Sequence, residues 1–139
     1  MDLTEIHPLV IHFPIALFSV GFLCDTLSCF FKKKGLGIAG WWNLIFGLIS
    51  SVVALITGVI SDLHQTEMIL RPFPLHKNHS SLQLVVVFIL LLLLVWRIKL
   101  QKPLSLGSRA SLIYLVGLGM AVGFLFYGSH LGAISSGRF

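Results

Sequence analysis

His7-Pro8-Leu9-Val10-Ile11-His12-Phe13-Pro14 stands at the mouth of the first long apolar run of this chain. Pro8 has no backbone donor, so it fits a first helical turn without losing a hydrogen bond. Pro14 falls inside the helix, leaves the carbonyl of Val10 without its usual partner and favours a kink. In a helix His12 lies about 7 Å deeper than His7. An imidazole at that depth is either packed against protein or holds a ligand, so the stretch reads as the entry of a membrane helix with a candidate site beside it.

Outward from this stretch, the composition fixes the class. Of 139 residues 56% are hydrophobic and 11% charged, and the mean hydropathy is +0.95. A soluble domain has no use for that much apolar surface, so an integral membrane protein is expected. The net charge of +5 does not point to nucleic acid, because the basic residues sit in short loops beside apolar runs. The start, Met1-Asp2-Leu3-Thr4-Glu5, is acidic where a signal peptide needs positive charge, so the first apolar segment is expected to be retained. Cys24 and Cys29 are five apart, roughly 140° around one helix, and cannot pair. No Cys-x-x-Cys-His is present, which excludes covalent c-type haem attachment.

Four apolar segments run over about 9–31, 38–60, 80–97 and 110–131. Each is near the roughly 20 residues that a spanning helix needs. One domain over 1–139 is expected, all-α, an up-down bundle of four transmembrane helices. Lys32, Lys33 and Lys34 fill the first connection, and Arg97, Lys99, Lys102 and Arg109 the third. The positive-inside rule places these in the cytoplasm, with both termini and the 61–78 loop in the periplasm, outside a bacterial inner membrane.

That orientation gathers the histidines. His7, His12, His64, His76, His79 and His130 are all that the chain has, and every one falls at or near the outer face. Taken singly, each reads as a helix-end cap or a loop hydrogen bond. As a set they read as ligands, because polar groups at membrane depth usually have a function. Imidazoles on facing bundle helices can hold haem b, and Arg71, Lys77 and Arg138 lie on the same side to meet anionic propionates. His12 shares a helix face with Ala16 and Ser19, and His79 with His76 and Gln83. The remainder of segment three reads as lipid-facing. Helices one and three should lie on a diagonal, so His12 and His79 are the expected axial pair of one haem. His7 and His130 are the candidates for a second, and His64 and His76 read as loop residues. Two small-residue stripes, Gly47/Ser51/Ala54/Gly58 and Gly119/Gly123/Tyr127/His130, are expected to lie against another helix or a flat cofactor.

Other chemistry is thinner. His76-x-x-His79 with His64 and Asp62 offers a zinc or copper site, and Asp62 could instead orient a ligating histidine. Asp25, the acid well inside segment one, is expected to pair with a nearby lysine or to accept from Ser28. Trp41, Trp42 and Trp96 read as interfacial anchors. There is no phosphate-binding loop, no nucleophile with a base and no pair of carboxylates.

The run His7-Pro8-Leu9-Val10-Ile11-His12-Phe13-Pro14-Ile15-Ala16-Leu17 resembles the signature His-Pro-x-x-Val-His-Phe-Pro-Ile-Ala-Leu of a family of small bacterial membrane proteins, domain of unknown function 2231. Ile11 stands where that pattern has valine. The likeness continues through Gly58–Asp62, His79 at the opening of helix three, and a glycine-rich last helix ending in Tyr127 and His130. It implies a layout similar to b-type cytochromes and redox work. The function expected is haem b-dependent electron transfer, alone or as a small subunit of a respiratory complex, with quinol and a cytochrome as partners. The alternatives are a cofactor-free accessory subunit of a larger membrane complex and a zinc- or copper-binding membrane protein.

Overall fold

In lipid no water satisfies backbone N–H and C=O groups, so long apolar runs must close their hydrogen bonds internally, as helices. The computed structural model describes residues 10–64, 79–100 and 104–135, and the side chains within them except those at 58–64, 79, 80, 133 and 135. It contains helices α1 (His12–Phe31), α2 (Lys34–His64), α3 (His79–Leu100) and α4 (Arg109–Ser135). All four are long and apolar enough to cross a membrane, with candidate spans of 20, 24, 20 and 24 residues. The chain is a four-helix, multi-pass membrane bundle.

Helix α1 packs on α2 and α4, and α3 packs on α4 and α2, which leaves α1 and α3 on one diagonal as expected. The α1–α2 seam is the most extensive. Small residues set its closeness. A side-chain carbon on Gly47 would lie 2.8 Å from the Phe18 ring, and one on Gly21 3.2 Å from Leu44. Ser51 and Ala54 continue the Gly47 face and are buried, so over these three positions the stripe lies against a neighbouring helix, while the surroundings of Gly58 lie outside those described.

The helix ends differ from the sequence reading. The three lysines do not form a loop of their own. Helix α1 stops at Phe31, Lys32 turns through a left-handed conformation (φ 51°), and α2 already begins at Lys34. At its far end α2 runs on to His64, so Ser61, Asp62 and His64 belong to the helix rather than to a loop. Helix α3 runs through Arg97 and Lys99 to Leu100.

The faces of α3 and α4 also need correction. Helix α3 is not wholly lipid-facing: Val86, Leu90 and Leu93 are buried, at helical spacings of four and three. They meet Leu115, Leu118, Val122 and Leu125 of α4 and Phe18 of α1 in the core. On α4 the expected stripe is buried only at its start. A side-chain carbon on Gly119 would lie 3.1 Å from Phe22, but one on Gly123 would meet nothing within 4 Å among the described residues. Gly123, Tyr127 and His130 are exposed.

Candidate functional site

The bundle has two chemically distinct ends. At one end α1 finishes, α2 starts, α3 finishes and α4 starts. Arg97 extends the buried Val86/Leu90/Leu93 row by one more helical step of four. That register turns its guanidinium inward, across the diagonal, to Asp25 of α1. Asp25 has no exposed surface, and its Oδ2 takes an ion pair from Arg97 Nη1. Tyr114 of α4, also fully buried, donates from its hydroxyl to the same oxygen at 2.9 Å. Arg97 Nη1 lies 3.3 Å from the Tyr114 hydroxyl, and Nη2 donates to the Gly37 carbonyl of α2 at 2.8 Å. The rings of Trp41 and Tyr114 flank the guanidinium, 5.7 and 5.8 Å from it. One arginine thus ties all four helices together.

The second carboxylate oxygen, Asp25 Oδ1, has no hydrogen-bond partner among the described residues. It is pressed against α2 at Gly40, where an added side-chain carbon would fall 2.0 Å from it and 2.7 Å from the carboxyl carbon. Only glycine admits that approach. Ser28 does bond to Asp25, but through the backbone: its hydroxyl donates to the Asp25 carbonyl at 2.8 Å. The expected lysine partner is replaced by Arg97. Lys32, Lys33 and Lys34 are all exposed, and a lysine so placed keeps its ammonium hydrated. Trp41 is part of this cluster rather than a plain anchor, whereas Trp42 is half exposed and stacks on Phe46. Cys24 and Cys29 are free thiols.

At the opposite end the helices each bring one histidine. His12 opens α1, His64 closes α2, His79 opens α3, and His130 lies in the last two turns of α4. His12 is exposed. The face that α1 turns inward is Pro14, Phe18, Gly21 and Asp25, so the shared His12/Ala16/Ser19 face is the outer flank of α1, not the core. Gln83 does face a neighbour, and its amide reaches the Leu125 carbonyl of α4 at 3.4 Å. The Phe22–Gly119 contact fixes the register of the α1–α4 seam. From it, His12 lies ten residues along α1 and His130 eleven along α4 towards the same end. At 1.5 Å per residue the two stand within about 2 Å of the same level. Beside His130, the buried Ser129 Oγ has no hydrogen-bond partner among the described residues. Among those same residues, no three His, Cys, Asp or Glu side chains converge in a metal-binding group. His7, Arg71, His76, Lys77 and Arg138 lie outside the described residues, as do the side chains of Asp62, His64 and His79.

The charged cluster was only half visible in the sequence. In the sequence Asp25 stands inside an apolar segment, Arg97 reads as a loop charge and Tyr114 gives no signal of its own. The signal was present: an acid inside an apolar segment needs a cation inside another one, and Arg97 is the basic residue set furthest into an apolar run.

Comparison with known proteins agrees with the architecture. A family model described as Predicted membrane protein (DUF2231) matches residues 4–138. No curated protein and no solved structure matches the chain.

Proposed function

The chain belongs to the DUF2231 family of predicted membrane proteins, and from that premise we propose that it holds haem b at its histidine-bearing end and transfers electrons in a bacterial inner membrane. The observation that carries this reading is the placement of His12, His64, His79 and His130, one on each helix and all at one end. The fit of a flat macrocycle follows from the packing. The core is closed to it by Phe18, Val86, Leu118 and Leu125. The outer flank of the α1–α4 seam is open, with exposed Ala16 on one helix and Gly123, clear of any neighbour, on the other.

His12 and His130, level on neighbouring helices, are therefore the favoured ligand pair, and His79 and His7 are the other candidates. Their neutral imidazole nitrogens would take the iron. Ser129 Oγ, buried and without a hydrogen-bond partner among the described residues, is a donor at the same end. Arg71, Lys77 and Arg138 supply positive charge on that side of the sequence. The haem, when bound, supplies one-electron chemistry. Quinol in the lipid and a cytochrome or another respiratory subunit are the partners that such chemistry requires. The lysine-rich connections orient the histidine end to the periplasm. A cysteine at Ser136 should then react with an impermeant thiol reagent in outer-permeabilised cells, and one at Lys33 only after lysis. The reverse pattern would move the site to the cytoplasmic side.

The test of the cofactor is one absorbance spectrum of the purified protein, oxidised and then reduced with dithionite. A sharp reduced α-band and a Soret shift are expected. A colourless protein with stoichiometric zinc or copper would replace haem by a non-haem site. A colourless, metal-free protein that co-purifies with a large complex would make it an accessory subunit.

A further inference from the structure

A groove of about 340 Å³ runs between α3 and α4 on the outer surface of the bundle. Leu93 and Trp96 form one wall, Ile113, Val116 and Met120 the other, and Gly117 lies between them. The groove extends from Leu112 to Met120 of α4, about 12 Å of helix. Its apolar walls suit a hydrocarbon chain, and its upper end is basic. Lys99 follows Trp96 by three residues and Arg109 precedes Ile113 by four, so each charge stands on the groove's own helix face one turn above it. Both are exposed. Arg97, two residues before Lys99, is spent on Asp25 inside the bundle. The first turn of α4 contains no acidic residue, which leaves its backbone N–H groups and positive dipole end to an anion.

We propose that this groove is a binding site for an anionic phospholipid. One acyl chain lies along Trp96, Val116 and Met120, and the headgroup phosphate is held by Lys99, Arg109 and the start of α4. The occupant follows from charge complementarity: the groove is apolar along its length and cationic at its membrane-surface end, the pattern of an acidic lipid. A neutral choline headgroup brings its own cation to the same place and gains less. The site is independent of the haem reading and lies at the other end of the bundle.

The experiment is native mass spectrometry of delipidated full-length protein, titrated with phosphatidylglycerol or phosphatidylcholine. Phosphatidylglycerol should be retained in preference. The Lys99→Gln/Arg109→Gln protein should lose about fivefold of that preference per charge. Lys33→Gln removes a charge from the same end but away from the groove, and should leave the preference intact. Val116→Trp fills the groove and should lower retention of both lipids. Equal retention of the two lipids by the unaltered protein would overturn the proposal. So would an equal loss in Lys33→Gln, which would mean diffuse attraction. A dimer abolished by Val116→Trp with lipid retention unchanged would assign the groove to a second copy instead.

Discussion

The two ends of this bundle use polar residues in opposite ways. At the lysine-rich end the polar groups inside the bundle, Asp25, Arg97 and Tyr114, are turned toward one another. Arg97 meets a carboxylate, a hydroxyl and a carbonyl, and Asp25 is closed off from the surface. At the histidine end His12 and His130 are on the outer surface. A polar cluster closed off inside the bundle holds a fold together. Histidines on the outer surface face what lies outside the bundle. The proposal sets the fold-holding cluster at the first end apart from the haem ligands at the second, and it can be tested by moving each property separately.

The largest effect should come from Arg97→Leu, which leaves Asp25 as a buried charge without a partner. Breaking a buried pair in this way costs about 3–5 kcal/mol, read as a loss of thermal stability in detergent. Asp25→Leu/Arg97→Leu should recover more than half of that loss, because two apolar side chains replace the pair without leaving a charge. If the double variant is no better than the single one, the cluster does something beyond holding helices. The next effect is smaller. Gly40→Ala drives a methyl group into the Asp25 carboxylate and should cost about 1–3 kcal/mol through overpacking. The smallest belongs to the other end: in the haem-free protein Gly123→Leu meets nothing among the described residues and should change stability by no more than about 0.5 kcal/mol. Leu92→Ala, on the exposed side of α3, should be similarly mild. A strongly destabilised haem-free Gly123→Leu protein would mean that the outer flank of α4 is covered by another chain.

These contrasts show what the sequence could and could not say. The four spans were legible because the bilayer sets a length and four apolar runs meet it. The helix ends were not, since a lysine or an aspartate ends hydropathy without ending a helix: α2 starts on Lys34 and passes through Asp62. The buried face of α4 was not legible either. That helix is apolar all round, so periodicity carries no direction. Its glycines serve three different purposes: Gly117 faces Leu93, Gly119 faces Phe22 and Gly128 faces Gln83. The Gly119-x-x-x-Gly123 spacing suggested one seam where the packing uses only its first member. The Asp25–Arg97 pair joins residues 72 apart on diagonal helices, a relation that spacing within one helix cannot express. The collection of histidines at one end was legible, because it needs only the alternation of helix direction.

The measurement that bears most directly on the division between the two ends is the dithionite-reduced spectrum of the His12→Ala/His130→Ala protein, taken beside its thermal unfolding curve. The account predicts that the low-spin haem signal of the unaltered protein is lost or converted to high-spin while the unfolding temperature of the haem-free protein stays unchanged. A full low-spin spectrum in that double variant would contradict it and move the ligands to His79 and the remaining histidines.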